Sequence, residues 1–143
     1  MTVKEIWTEA DFEEMGWHDS QLYAIHFPRT DTVLKLDIDY IFEWVLDEAN
    51  NRFSFWVAPC TLCFRSVITL KVDLDFDHQV GLEILDIERF DPVPSPDGQV
   101  IDWTYKISTS NGDITFASTG YEQLVRRQPV FKDGQSLEGE DRG

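Results

Sequence analysis

Apolar and polar residues alternate along much of this chain. Leu34, Leu36, Ile38 and Tyr40 alternate with Lys35, Asp37 and Asp39. Val72, Leu74 and Phe76 alternate with Asp73, Asp75 and Asp77. Ile101, Trp103, Tyr105 and Ile107 alternate with Asp102, Thr104 and Lys106. A period of two predicts half-buried strands, one face apolar and the other wet. Phe53 to Val57 and Thr61 to Val67 are shorter strand candidates, rich in aromatic and β-branched residues. Pro59 cannot donate to a ladder, so a turn, bulge or edge is expected there. Residues 121–127 are read as a strand, although Tyr121, Leu124 and Val125 also fit a helical turn.

The turn chemistry adds detail. Thr8 suits a helix N-cap, with Asp11 closing a capping box, Trp7 and Phe12 as a hydrophobic staple and Gly16 at C′. A short N-terminal helix is expected. Asn111-Gly112 between two strand patterns predicts a two-residue type I′ turn, with Ser110 facing Asp113 and Ile107 facing Phe116. Asp91-Pro-Val-Pro-Ser-Pro-Asp-Gly98 reads as a surface loop after a strand at 82–90. About seven short strands and one helix give a mainly β class. The expected architecture is an antiparallel β-sandwich or a curled barrel-like sheet with the short helix packed on it. Residues 1–131 form a single β-rich domain, and 132–143, polar with one Leu, is read as a flexible C-terminal tail.

Charge narrows the function classes. The 143 residues carry 27 acids and 12 bases, a formal charge of −15. That argues against an electrostatic hold on nucleic acid or an anionic membrane, where Lys and Arg supply the affinity. Apolar content of 42% is too high for a disordered acidic chain. No signal-like or membrane-spanning run is visible, so a cytoplasmic protein is expected.

Several groups invite chemistry. Trp17-His18-Asp19-Ser20 holds hydrolase residue types, but on a strand His18 and Asp19 would point to opposite faces. The preferred reading is the start of a strand, with Asp19 or Ser20 tying down the backbone. Cys60-Thr-Leu-Cys63 lacks the α/β setting of a redox motif. A zinc site needs four ligands, and His18, His26 and His78 show no ligand spacing. The two thiols read as packing groups on opposite faces of a strand, with a site shared between two subunits as the sharper alternative. An EF-hand loop beginning at Asp73 would need Gly and Glu where His78 and Ile84 stand. No cofactor or metal is expected.

Two features remain. Asp37 and Asp39, and Asp73, Asp75 and Asp77, form outward carboxylate rows. Like charges directly opposed across a strand pair destabilise it. Either these strands are not neighbours, or Lys35, Lys71 or an external cation compensates. Aromatics concentrate between Phe42 and Phe64, with Trp44 and Trp56 as candidate anchors. Arg126-Arg127 reads as a solvated edge.

The segments Gly16-Trp-His-Asp-Ser20, Asp37-Ile-Asp-Tyr-Ile41 with Glu43-Trp44, and Phe55-Trp-Val-Ala-Pro59 together resemble a family of small, uncharacterised bacterial proteins, over residues 16 to 128. Some small acidic bacterial proteins of this general look are immunity-type proteins that neutralise toxins. The resemblance carries no catalytic residues. The leading expectation is a non-enzymatic, acidic protein-interaction module, immunity-like, docking a basic partner through the carboxylate rows with Trp44 and Trp56. The alternative is a small-ligand binder or hydrolase using the 42–64 aromatics with His18 and Asp19. A homo-oligomer joined along a sheet edge is the third reading.

Overall fold

The computed structural model describes residues 1–77 and 80–143. His78, weighed above as a metal ligand, lies outside the described residues. Among these, ten strands follow in order: β1 Ile6–Thr8, β2 Ser20–His26, β3 Leu34–Asp47, β4 Arg52–Arg65, β5 Ile68–Leu74, β6 Glu83–Pro94, β7 Ile101–Thr109, β8 Gly112–Ser118, β9 Gly120–Val125 and β10 Val130–Lys132. A 3-10 helix, Glu9–Glu14, follows β1, and a one-turn helix α1, Gly139–Arg142, closes the chain. All the strand pairs are antiparallel, in the order β1-β9-β4-β3-β2-β6-β7-β8-β5, with β10 also on β4. The protein is mainly β. Its strands form one open sheet, not two separate sheets and not a closed barrel.

The sheet bends back across its own apolar face. Phe64 on β4 meets Tyr105 of β7 and Phe116 of β8 at ring-centre distances of 5.0 and 4.7 Å. Those strands stand far apart in the sheet order, so only curvature brings them together. One bend lies in β2, where Ser20 and Gln21 pair with β6 and Leu22 to His26 pair with β3. Another lies between β8 and β9, where Gly120 has φ +142. The alternation read from the sequence supplies the inner lining: Leu34, Leu36, Ile38, Tyr105 and Ile107 are buried. Trp17 sits among Phe12, Tyr40 and Tyr121, and its Nε1–H donates to buried Gln123 at 2.8 Å. The only large donor of that indole is thereby satisfied.

Several expectations need correction. The two short strands at 53–67 are one fourteen-residue strand, and Pro59 lies inside it opposite Asp39. Pro59 is tolerated because its free side faces the gap between β9 and β10, where its carbonyl accepts from the Arg126 N–H. β5 stops at Leu74, so Asp75 and Asp77 do not continue a strand row. Asp75 instead accepts from the Asp77 N–H in a local turn. β6 runs on to Pro94 through an irregularity after Phe90, absorbing half of the expected Pro-rich loop.

The β7–β8 turn is Ser110-Asn111, with Thr109 opposite Gly112 and Ile107 opposite Ile114. Asn111 does not adopt the positive φ of a type I′ turn. The Thr109 hydroxyl holds this turn, donating to the Gly112 carbonyl and accepting from the Asn111 N–H, and Gly112, at φ +137, lies against β5: a Cβ there would be 2.0 Å from the Asp73 carbonyl oxygen. The glycine admits a neighbouring strand instead of closing the turn. The two-residue shift preserves parity, so Ile107 and Phe116 still share the inner face.

The N-terminal capping box forms, with the Thr8 side chain accepting from Ala10 N–H and Asp11 accepting from Thr8 N–H. The helix it starts is 3-10 in type and ends on Met15 in extended conformation, without Gly16 in a left-handed cap. Residues 132–143, expected as a free tail, lie against the outer face of β3 and β4. Leu137 is 8% exposed and packs with Ile41, Phe55 and Val57.

Candidate functional site

The outer face of β3 carries the first carboxylate row, and the structure changes its meaning. Asp37 is partly exposed, but Asp39 is 0% exposed. A buried carboxylate needs partners, because desolvation costs several kcal/mol per ion. Asp39 accepts from the Tyr23 hydroxyl at 2.5 Å, from the Leu137 N–H at 2.9 Å and from Arg142. Asp37 accepts from Arg126 at 2.8 Å and also from Arg142. Arg142 further stacks on the Tyr23 ring, 3.7 Å from its centre. Burial, followed by the bond to Asp39 and its charge, raises the Tyr23 phenol above its ordinary value.

The cations expected from Lys35, Lys71 or outside are therefore Arg126 and Arg142 of the same chain. Arg126 and Arg127 are exposed just past the end of β9, and each also makes a bond: Arg126 donates to Thr61 and Arg127 to the Glu140 carbonyl. The outward Asp37/Asp39 row is corrected to an internally neutralised one. Asp39 in this arrangement cannot touch a partner.

The second row is split. Asp73 is exposed on β5 and stands directly opposite Asp113 of β8, whose carboxylate has Lys106 at 3.9 Å. Asp75 and Asp77 lie beyond the strand end. The two rows are not neighbours, since β3 and β5 lie far apart in the sheet order.

Trp44 and Trp56 part company. The irregularity between Ile41 and Glu43 sets Trp44 opposite Phe55 and Leu46 opposite Phe53. These four side chains share the outer face of the β3–β4 hairpin end. Trp44 is 39% exposed, Leu46 44% and Phe53 48%. Trp44 is held edge-on by Phe53 and Phe55, at ring distances of 6.0 and 5.0 Å. Trp56 points to the other face and meets Phe131 at 5.1 Å.

His18 lies flat on Trp44, with ring centres 6.2 Å apart at 16°. It sits in a turn and not on a strand, because Asp19 has φ 66. Adjacent side chains can then approach, and His18 Nε2 lies 3.5 Å from Asp19 Oδ1. That corrects the opposite-faces expectation. His18 Nδ1 donates to the Leu85 carbonyl at 3.0 Å. Ser20 Oγ is buried and has no hydrogen-bond partner among the described residues, so no nucleophile–base pair forms. Asp19 accepts from Gln135. Surface hollows of 350, 410, 280 and 230 Å³ occur elsewhere, and neither His18 nor Asp19 lines them.

Cys60 and Cys63 are free thiols on opposite faces of β4. Burial pushes the Cys60 thiol up to about 12, and burial also raises Cys63. Neither is an activated thiolate at neutral pH. Among the described residues no cluster of three His, Cys, Asp or Glu side chains is placed to hold a metal ion. Likewise no helix there is long and apolar enough to cross a membrane.

Sequence reasoning missed Leu137, Arg142 and Tyr23. Their only signal was indirect: the carboxylate rows demanded a cation, and the tail held one Leu and one Arg. No family model, no curated protein and no solved structure matches the chain.

Proposed function

We propose that this protein is a non-enzymatic interaction module that docks a basic partner protein on the outer end of the β3–β4 hairpin. The observation that carries the proposal is the joint exposure of Trp44, Leu46 and Phe53 on one face. Exposed aromatics held in place by neighbours make low-entropy anchors, and Trp is enriched at interface hot spots. Asp47 and Glu48 stand at the same hairpin end, and the formal charge of −15 would steer a basic surface toward it. The small size and acidity that the chain shares with some immunity-type proteins are in keeping with the same class. Asp73, Asp75 and Asp77 contribute to the field in this proposal. Asp37 and Asp39 are already engaged by Arg126 and Arg142.

The test is affinity capture at low salt with the wild type and with Trp44→Ala. Proteins of basic composition should be retained by the wild type, released by salt, and lost from the variant. Capture that is unchanged in Trp44→Ala would remove the hairpin end from the proposal. A purified partner whose association rate ignores ionic strength would remove the steering.

A further inference from the structure

The segment 133–143 covers the outer face of β3 and β4 beside the docking surface proposed above. Its start borders the hairpin end, where Asp133 lines the hollow of 230 Å³ with Asp47 and Phe53. Gln135 donates to Asp19, whose neighbour His18 lies on Trp44. Leu137 packs on Phe55, the same ring that holds Trp44 edge-on. The covered face and the exposed anchors are therefore one continuous surface.

Few side chains hold the segment down. Leu137 is its only buried residue. Among the described residues no backbone-to-backbone hydrogen bond joins 133–143 to a strand. The Leu137 N–H goes to the Asp39 carboxylate, and the Asp141 N–H goes to the Glu138 carbonyl within the segment. An element without a ladder opens at the low end of local stability. Its charge also suits the surface poorly. It brings four acids, Asp133, Glu138, Glu140 and Asp141, and the single base Arg142 to a chain of formal charge −15.

The face beneath dictates the chemistry of its occupant. Ile41, Phe55 and Val57 require an apolar cover. Asp37 and Asp39 lie side by side on that face, and Arg126 reaches only Asp37. Any occupant that reburies Asp39 without a cation leaves a buried charge unpaired, which is strongly destabilising. The occupant must therefore deliver an apolar side chain and a cation together. A guanidinium fork suits two adjacent carboxylates better than an ammonium does. Leu137 and Arg142 are such a pair, with Arg142 bridging Asp37 and Asp39.

We infer that segment 133–143 is a displaceable stand-in for the partner, which docks by inserting an apolar side chain and an arginine in place of Leu137 and Arg142. The inference rests on the reading that this protein docks a basic protein at the hairpin end, and it names the part of that protein that enters. A tethered segment competes at an effective concentration on the order of millimolar. A partner with lysines where the segment has Glu138 and Glu140, both exposed, gains the attraction of the whole negative chain, which the segment itself lacks.

The test is NMR titration of the isotope-labelled full chain with a synthetic peptide of residues 133–143 carrying Glu138→Lys and Glu140→Lys. The Gly139 amide reports on the segment and the Val57 amide on the face beneath it. The peptide should move Gly139 to a free-chain position while Val57 shifts. Leu137→Ala in the full chain loosens the segment, so the same peptide should bind that variant about tenfold more tightly. Peptides that also carry Leu137→Ala or Arg142→Lys should bind about tenfold more weakly than the first. Arg142→Ala in the full chain serves as the loosened variant if Leu137→Ala loses signal dispersion. An unmoved Gly139 signal, equal binding to wild type and the loosened variant, or equal binding of a scrambled peptide of the same charge would each overturn the inference. So would dimerisation of the loosened variant, because a second copy would then be the occupant. Capture lost in Trp44→Ala with no displacement by the peptide would keep the docking reading and remove this one. Displacement together with capture unchanged in Trp44→Ala would keep the covered face and remove the hairpin anchors.

Discussion

Asp39 departs from the alternation of its own strand. Its alternation places it on the wet face of β3, yet it is buried under Leu137 and Arg142. Removing one partner of a buried charge leaves the other unpaired. Arg142→Ala should therefore cost about 2 kcal/mol in urea unfolding, within the range for hydrogen bonds to charged groups. In an Asp39→Asn background the same change should cost much less. Near-equal losses in both backgrounds would show that the pair is not coupled.

Cys60 gives a pH prediction. Its folded value is raised to about 12 from an ordinary value of 9.0, so both states are protonated below pH 9 and the stability is fully present there. Above pH 9 the unfolded thiol ionises first, and stability falls as pH rises toward 12. Tyr40, also pushed up to about 12 by burial, adds to the fall. Denaturation curves for wild type and Cys60→Ala, measured from pH 8 to about 10.5, should converge as pH rises.

At the level of elements, β5 depends on one glycine. The Asp73 carbonyl lies where a Gly112 Cβ would be, and Gly112 has φ +137. Gly112→Ala should destabilise the protein by more than about 1 kcal/mol. Hydrogen exchange should speed up first in β5 and β8. Exchange unchanged in β5 would mean that the strand finds another seat. The C-terminal segment is a second such element. Leu137→Ala uncovers Ile41, Phe55 and Val57 and should cost about 2 kcal/mol, the low end for a buried Leu. Protease cleavage after Lys132 should then become faster.

Across the whole molecule, an open sheet leaves β1 and β5 at the ends of its strand order and three-residue β10 as a further edge on β4. β1 is three residues long, and β5 is irregular, with Thr69 at φ 52 and with Lys71 on it. Short, bulged and charged edges resist pairing with another copy. Together with the charge of −15, they predict a mass of 16.6 kDa in sedimentation that does not change with protein concentration. A dimer at micromolar concentration would restore the edge-joined reading.

The sequence alone determined the mainly β class, the inner faces of β3 and β7, the capping box at Thr8 and Asp11, and the opposed faces of Cys60 and Cys63. All of these follow from periodicity or from contacts within a few residues. It also showed that the Asp37/Asp39 row required a cation. Tertiary structure decided which cation. Arg142 lies 105 residues from Asp37, and no local pattern encodes a contact that spans most of the chain. The same holds for the hairpin turn, where Gly112 lies against the Asp73 backbone of β5. Local patterns set which face of a strand is apolar; only the curvature of the sheet and the return of the chain's end determine what each face meets.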